Sequence, residues 1–348
     1  MSELYLGTKS GVWAAVERGD RWEIARQFAP DSQVNQLIYD GPRSTLYAAT
    51  QNTGLLEISL TTGAVKRLGA DALPTAVRAV ALSRDGRRIY AGTEPLGFYW
   101  SDDGGQTWAE SAQLRQLAIE RDWKFPATAV PKTDTHIRDI VVSAFDANRI
   151  YAAAQVGGVL RSDDGGVTWI DSIVGIDPDV HSLIEHPLER DVLYAAAGGG
   201  GFPGTPYPPP LPQGRPFYVS HDAGLTWNCI STDFERTYSV PLRIDRLHPN
   251  VMLGAVARGT PGSWLRRPEG ADGVLMLSTD AGATWDRITG NLPERFAHGV
   301  EAIEFEENGS QRVFVGVEDK VFCGAAPYQQ WKRLELDFPP IASIVTAS

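Results

Sequence analysis

The chain reads Ser101-Asp-Asp-Gly-Gly-Gln-Thr-Trp108, and it repeats this eight-residue pattern three more times. The other copies are Ser162-Asp-Asp-Gly-Gly-Val-Thr-Trp169, Ser220-His-Asp-Ala-Gly-Leu-Thr-Trp227 and Ser278-Thr-Asp-Ala-Gly-Ala-Thr-Trp285. We call these segments the four boxes. Each lies between two short apolar runs, which predicts a β-hairpin. The Asp is expected to accept hydrogen bonds within its own turn, the Gly to adopt a positive φ, and the Trp to bury its ring against a neighbouring repeat.

The boxes resemble the Asp-box, or BNR repeat, of sialidase-like β-propellers. The resemblance implies that the box aspartates fold the turn and do no chemistry. The chain also resembles cytosolic BNR/YVTN-like repeat proteins, a likeness that implies a fold but not an activity. The Arg-Ile-Pro segment of sialidases is absent here, and their nucleophilic Tyr/Glu pair has Tyr238 near Glu235 as its candidate.

A second repeat gives the number of blades. Seven segments carry an aromatic or large apolar residue followed by small residues, which suits strands crowded near a propeller axis. These patches begin at Leu4, Leu46, Ile89, Ile150, Leu193, Met252 and Val313. Six inner strands precede a patch, and they begin near Val34, Val77, Ile137, Val180, Leu242 and Val300. The segment 341–346 is expected to supply the seventh by pairing into blade 1, which closes the ring and protects its edges.

We therefore predict an all-β, seven-bladed β-propeller with four-stranded antiparallel blades in a single domain, residues 1–348. Such repeats typically take about 40–45 residues per blade. The predicted blades are 341–346 with 3–25, then 33–68, 75–114, 137–173, 179–230, 241–288 and 299–336.

Composition excludes several classes of function. No apolar run approaches about 20 residues, so no membrane-spanning helix is expected. A formal net charge of −11 argues against binding to nucleic acid or to anionic membranes. Cys229 and Cys323 are expected to be free thiols, and the N-terminus has no signal peptide pattern, so we predict a cytoplasmic protein.

Strand direction places the long loops on one face, which we call the top face. The boxes join the third and fourth strands of a blade on the opposite, bottom face. Connections from the second to the third strand, and from one blade to the next, reach the top face. Function is expected there, because long loops on a rigid scaffold commonly carry it. The long loops are 109–135, 198–216, 231–241 and 258–273.

The second residue of each inner strand is expected to line the mouth of the central channel. Arginines at three of these positions in an acidic chain predict a ligand with a carboxylate or phosphate group. Trp123 and Trp264 are expected to wall this pocket. The predicted ring is Asn35, Arg78, Arg138, His181, Arg243, Glu301 and Ala342. In the alternative, the arginines only bridge blades through Asp139, Glu185, Asp245 and Glu304.

Three histidines are candidates for chemistry at the mouth. His136 and His298 precede inner strands, and His181 belongs to the predicted ring. His136, His181 and Glu301 are candidate acid or base groups for a hydrolase or lyase, and His298 is a candidate ligand-binding residue. The three histidines could instead hold a divalent metal. No other cofactor is expected.

Three functions stay open at this point. The first is binding, with or without transformation, of a small anionic molecule in the top-face pocket. The second is a non-enzymatic scaffold that holds a protein partner on the long loops. The third is a glycosidase, which needs two carboxyl groups about 5–10 Å apart. Its candidates are Glu185, Asp245 and Glu301.

Overall fold

Seven four-stranded antiparallel sheets form this computed structural model, which describes residues 2–124, 134–198 and 215–347. In six of the sheets the strands follow chain order from the axis of the ring to its perimeter, and in the seventh the last strand of the chain takes the innermost position. Most of the predicted loop 198–216, and part of the predicted loop 109–135, lie outside the described residues.

The first eleven strands of the chain belong to the first three blades. Blade 1 takes β1 (Glu3–Thr8), β2 (Gly11–Arg18) and β3 (Arg21–Phe28). Blade 2 consists of β4 (Val34–Asp40), β5 (Thr45–Thr50), β6 (Leu55–Ser59) and β7 (Val65–Leu68). Blade 3 consists of β8 (Val77–Leu82), β9 (Ile89–Thr93), β10 (Gly97–Ser101) and β11 (Ala109–Glu110), and helix α1 (Ala112–Glu120) follows it.

The remaining blades repeat this order. Blade 4 has β12 (Ile137–Val142), β13 (Ile150–Ala154), β14 (Gly158–Ser162) and β15 (Ile170–Ser172). Blade 5 has β16 (Val180–Glu185), β17 (Leu193–Ala197), β18 (Phe217–Ser220) and β19 (Asn228–Cys229). Blade 6 has β20 (Leu242–Ile244), β21 (Met252–Val256), a short helix α2 (Pro261–Trp264), β22 (Val274–Ser278) and β23 (Asp286–Arg287). Blade 7 has β24 (Val300–Phe305), β25 (Arg312–Val317), β26 (Lys320–Ala325) and β27 (Trp331–Arg333).

The last strand closes the ring, as the sequence predicts. Strand β28 (Ile341–Ala347) pairs antiparallel with β1 and occupies the innermost position of blade 1, with Leu6 opposite Ile344. Both side chains are buried in a cluster that also contains Phe314 of blade 7. The two ends of the chain therefore share one sheet and one apolar core.

The box of blade 4 shows how the repeated eight-residue pattern builds its turn. Asp164 accepts hydrogen bonds from the backbone N–H groups of Val167 and Thr168, at 3.1 and 2.9 Å, and from the Thr168 hydroxyl at 2.6 Å. The buried Ser162 hydroxyl donates to Asp164 and accepts from the N–H of Gly166. Partial burial opposes ionisation, but these bonds hold the pKa of Asp164 below its usual value. The predicted structural role of the box aspartate is visible in these contacts.

The box tryptophan ties its blade to the preceding one. The ring of Trp169 packs edge-on against Phe98 of blade 3 at 4.7 Å, and its Nε1 donates to the Gly166 carbonyl at 3.0 Å. Gly166 has φ +95°, and a Cβ there would lie 2.3 Å from the Phe98 ring. Only glycine satisfies both the turn and this close approach.

Helix α1 is an element that the strand pattern does not reveal. The Ser111 hydroxyl accepts from the N–H of Leu114 and caps the helix. Leu114 and Leu117 pack into the core between blades 3 and 4. Gln113 exchanges hydrogen bonds with the backbone of Trp169, so this part of the predicted loop 109–135 lies along the perimeter of blade 4. The expectation that this whole segment stands over the top face needs that correction.

Two further expectations can be compared with the described residues. None of their helices combines the length and the apolar character needed to cross a membrane. Cys229 and Cys323 are free and half-buried.

Candidate functional site

Irregular pairing at the start of the inner strands shapes the mouth of the channel. In five blades the first and third residues of the inner strand pair with adjacent residues of the second strand, which leaves the second residue out of register. Strand β28 does the same, because Ile341 and Ser343 pair with Thr8 and Gly7. Such β-bulges re-aim the side chain of the extra residue. The residues at these bulges are Asn35, Arg78, Arg138, His181, Glu301 and Ala342.

All seven residues of the predicted ring line one cavity, with a volume of about 210 Å³. Arg243 is the one member that keeps regular pairing, opposite Leu253. In the other six blades, a bulge turns the second residue of the inner strand toward this cavity. The cavity lies at the top-face mouth of the channel, where the inner strands begin.

The cavity floor is held together by bonds that run from one blade to the next. Gln36 accepts from the N–H of Val80 at 2.8 Å, and Asp139 accepts from the N–H of Leu183 at 3.1 Å. Gln36 also donates to Asp139 at 3.0 Å. Burial raises the pKa of Asp139 above its usual value, and the charge of Arg243 opposes that rise. The floor is therefore a fixed network in which Asp139 already holds its partners.

Arg78 is the arginine that the blades hold in place. Its guanidinium hydrogen-bonds Gln51 and lies 3.6 Å from a carboxylate oxygen of Glu94. A third contact joins Nη2 to Nε2 of His136 at 3.1 Å. Burial, together with the nearby charge of Arg138, lowers the pKa of Arg78 to about 10. For Arg78 the alternative of a structural arginine that links blades describes the geometry well.

Arg138 and Arg243 differ from Arg78. The guanidinium of Arg138 has no hydrogen bond or ion pair with any residue that the structure describes, and that of Arg243 donates only to the Leu242 carbonyl, at 2.9 Å. Glu301 likewise has no hydrogen bond or ion pair within the described ranges. The cavity thus contains two guanidinium groups without an ion-pair partner among the described residues and one carboxylate without a hydrogen bond there, and Arg243 keeps N–H groups beyond its bond to Leu242.

His181 is buried beneath the cavity surface with both ring nitrogens engaged. Nδ1 lies 2.6 Å from the Ser239 carbonyl and Nε2 lies 3.2 Å from Asp179. Burial opposes ionisation of Asp179, but His181 and Arg138 hold the pKa of this carboxyl below its usual value. In this arrangement neither nitrogen of His181 faces a ligand as a free proton acceptor.

Four other candidates lie away from the cavity lining. Trp123 is buried in the core between blades 3 and 4. Trp264 packs edge-on against Tyr238 at 5.4 Å and donates to the Gly259 carbonyl. His298 is exposed and contacts Glu318 at 3.0 Å, and His136 lies behind Arg78.

Two of the three glycosidase candidates sit at the far ends of inner strands. Glu185 accepts from the Ser143 hydroxyl and from the N–H of Ala144. Asp245 accepts from the N–H of Leu247 and contacts the His248 ring at 2.9 Å. Both carboxylates therefore support bottom-face turns, and only Glu301 of the three lines the cavity.

The described part of the chain contains no cluster of side chains that fits the metal site considered as an alternative. There, no group of three or more His, Cys, Asp or Glu side chains is placed to hold a metal ion. His136, His181 and His298 instead contact Arg78, Asp179 and Glu318, respectively.

The BNR/Asp-box repeat model matches residues 99–110, which span the first box and its flanking strands. The chain is a seven-bladed β-propeller that contains a BNR/Asp-box repeat. Among curated proteins it is similar to vacuolar protein sorting/targeting protein 10 of Schizosaccharomyces japonicus, with 30% identity over 91 residues. That match covers 26% of this chain and 5% of the yeast protein.

Solved structures support the propeller fold over most of the chain. A GH74 enzyme of Niastella koreensis has a TM-score of 0.66 and 16% identity, and the match covers 87% of this chain and 45% of that one. The GH74 xyloglucanase from Xanthomonas campestris has a TM-score of 0.68 and 16% identity, with 96% and 52% covered. The chain thus spans about half the length of these enzymes, and identity this low supports a shared fold only.

Three further residues around the mouth were not among those predicted from the sequence. The residue directly after the second strand of a blade supports the mouth in blades 2, 3 and 4. Gln51 and Glu94 contact Arg78, and the Gln155 side chain hydrogen-bonds Asp179. These residues share a fixed offset from the aromatic patch of their blade, so aligning the blades at that patch would have indicated them.

Proposed function

We propose that this β-propeller binds a small molecule that carries a carboxylate and one or more hydroxyl or amine donors. The observation that carries the proposal is the pair of guanidinium groups of Arg138 and Arg243, neither of which forms an ion pair with a described residue, in one cavity with the carboxylate of Glu301. Arginine forks suit bidentate recognition of a carboxylate. Glu301 would accept from the donors of the ligand.

The network beneath the cavity supports binding more than catalysis. His181 is engaged at both nitrogens, and burial with the charges of Arg78 and Arg138 holds the pKa of His136 well below its usual value. A two-carboxylate glycosidase mechanism needs a second carboxyl group that is free to act. The other carboxylate of the cavity lining, Asp139, accepts from two backbone N–H groups and from Gln36.

The free, half-buried thiols of Cys229 and Cys323 support a cytoplasmic location for this binding, because reducing compartments keep thiols free. A cytoplasmic ligand of this class would be a hydroxy acid or an acidic sugar.

A thermal-shift screen at low salt tests the proposal. Probes are gluconate, glucuronate, citrate and serine, because these combine a carboxylate with hydroxyl or amine groups. A probe at about 100 times its dissociation constant adds about 2.7 kcal/mol to the free energy of unfolding, which is a visible rise in melting temperature. The affinity of a hit is then measured by calorimetry.

The arginine variants decide whether the cavity is the site. Arg138→Gln should weaken binding of the hit by about tenfold or more, the usual cost of a lost charged hydrogen bond. Arg87→Gln is the matched control, because it removes the same charge from a side chain that is 84% exposed and lies outside the cavity lining. Unchanged affinity in Arg138→Gln, or no shift with any probe, would overturn the proposal, and pull-downs for a protein partner would follow.

A further inference from the structure

A second cavity, of about 260 Å³, lies on the top face of blade 6 and shares no residue with the central one. Three connecting segments and strand β23 line it: the connection from blade 5 to blade 6, the loop between β21 and β22, and the connection from blade 6 to blade 7. Its lining holds five arginines and three acidic residues, an excess of two positive charges in a chain with a net charge of −11. The arginines are Arg236, Arg258, Arg267, Arg287 and Arg295.

One buried carboxylate organises this cluster. Asp272 is only 7% exposed at its side chain, and three arginines converge on it. Arg236 donates to its carboxylate at 3.0 Å and to its backbone carbonyl at 2.6 Å. Arg258 and Arg295 lie 3.3 and 3.6 Å from the same carboxylate. Arg258 and Arg295 also lie 3.6 and 3.5 Å from the carboxylates of Glu235 and Glu294, so three carboxylates balance the charge of these three guanidinium groups and hold them in place.

Two more arginines have no carboxylate partner within the described ranges. Arg267 donates to the backbone carbonyl of Arg258 at 2.7 Å, and Arg287 donates to that of Glu294. A hydrogen bond to a backbone carbonyl orients a guanidinium group without neutralising its charge. Each of these two guanidinium groups keeps further N–H donors for another acceptor. These two arginines provide the excess charge of the lining.

The backbone around the cluster is fixed before any ligand arrives. Gly273 pairs with Phe296 in an isolated antiparallel bridge, and the N–H of Ala271 donates to the Ala297 carbonyl at 2.7 Å. Gly270, with φ +64°, lies so close that a Cβ there would approach the Ala297 oxygen to 2.1 Å. The backbone that carries these arginines is therefore fixed by hydrogen bonds and close packing, which lowers the entropic cost of ordering their side chains around a ligand.

We infer that this cavity is a second ligand site, which binds a phosphate monoester. A phosphate monoester carries close to two negative charges at neutral pH, which matches the two excess positive charges of the cavity lining. Its three terminal oxygens accept hydrogen bonds from several N–H donors at once. Arg267 and Arg287 meet the phosphate, while Asp272 keeps the other three guanidinium groups in position. This site is independent of the proposed carboxylate site in the central cavity.

Calorimetric titration of the full chain with inorganic phosphate and with glycerol 3-phosphate tests the inference, with acetate as a monoanion. Both phosphates should bind, and more tightly than acetate. Arg287→Gln and Arg267→Gln should each weaken phosphate binding by about tenfold. Arg287→Lys, which keeps the charge but not the fork, should fall between Arg287→Gln and the wild type. Arg266→Gln is the matched control, since Arg266 is exposed on the same loop and does not line the cavity.

The variants also separate the two cavities. Arg138→Gln should leave phosphate affinity unchanged, because Arg138 lines only the central cavity. Loss of phosphate binding in Arg138→Gln, with binding kept in Arg287→Gln and Arg267→Gln, would overturn the inference and move the phosphate to the central cavity. Equal affinity for phosphate and acetate, or no phosphate binding by the wild type at low salt, would overturn it as well. Arg267 and Arg287 sit at the surface, and unchanged circular dichroism verifies that their variants fold.

Discussion

Arg78 donates a hydrogen bond from Nη2 to Nε2 of His136 at 3.1 Å, and Nδ1 of the same ring lies 2.7 Å from the Asp134 carbonyl. Nε2 accepts only when it carries no proton, so His136 is the neutral ring with its proton on Nδ1. Burial, with the charges of Arg78 and Arg138, holds the pKa of His136 well below the usual 6.5. The ring is thus an acceptor that positions Arg78 at the mouth.

This arrangement predicts a loss of stability in acid. The unfolded chain binds a proton at His136 near pH 6.5, whereas the folded chain does not until a much lower pH. Stability therefore falls as the pH drops below about 6.5, by of order 1 kcal/mol at pH 5.5 from this group. Urea unfolding of the wild type and of His136→Gln at pH 7.5 and at pH 5.5 measures this change in the free energy of unfolding. Between pH 7.5 and pH 5.5 the variant should lose less stability than the wild type.

His298→Gln is the control for this pair of measurements. His298 is 57% exposed and contacts only Glu318 among the groups described, so its removal should leave the acid sensitivity in place. If His136→Gln and the wild type lose stability in parallel, the neutral-ring assignment is wrong.

Glu304 predicts a pH effect of the opposite sign. This carboxyl lies on β24, three residues beyond Glu301, and burial raises its pKa to about 7, against the attraction of Arg243. Its stabilising contribution is full below the unfolded pKa of about 4.5 and is lost as the pH rises through 7. Glu304→Gln removes this dependence. Relative to the wild type, the variant should gain of order 1–3 kcal/mol of stability between pH 5 and pH 8.

The neighbouring Glu307→Gln substitution separates burial from charge. Glu307 is 57% exposed and pairs with Arg246 at 3.4 Å, and its charge adds to the rise in the pKa of Glu304, so Glu307→Gln should show only a smaller gain between pH 5 and pH 8. Equal pH profiles for Glu304→Gln and Glu307→Gln would contradict the raised pKa of Glu304.

Local motifs made the fold predictable from the sequence. A box is a contiguous segment whose Ser, Asp, Gly and Thr satisfy one another, as Ser162 and Asp164 do, so it can be recognised without long-range information. Repetition then gave the strand count and exposed the lone segment that becomes β28. The ring of mouth residues followed, because equal positions in equal blades lie at equal depth.

Contacts between distant segments were not predictable in the same way. The bulges depend on pairing with the second strand, and nothing in the Arg78 or Arg138 segment indicates that one arginine has a partner and the other does not. Trp123 was assigned to the pocket because it lies on a long loop, whereas it packs beside Leu114 and Leu117 of α1. A Ser cap followed by leucines three residues apart is a helix signal that could have corrected this assignment.

The boxes predict a stability effect without a binding effect. Ser162→Ala leaves the buried N–H of Gly166 without the acceptor that lies 2.9 Å away. Such a loss costs about 1–3 kcal/mol. The free energy of unfolding should fall by that amount, while ligand affinity at either cavity stays unchanged. Ser263→Ala is the matched control, because its one hydrogen bond is exposed and should cost little. A large loss of ligand affinity in Ser162→Ala would argue against a purely structural box.

Closure of the ring makes the stability of all seven blades depend on β28. Ile344 is 4% exposed and packs with Leu6 and Phe314, so Ile344→Ala should lower the free energy of unfolding by about 2–5 kcal/mol. Val65→Ala, at a side chain that is 43% exposed on an outer strand, is the matched control and should cost far less.

Deleting residues 341–348 should expose the edge of β1 and cause aggregation, which light scattering detects. A synthetic peptide of residues 340–347 should restore a monomer, and a scrambled peptide should not. A truncated chain that stays monomeric and unfolds like the wild type would mean that the other six blades hold the ring without this strand.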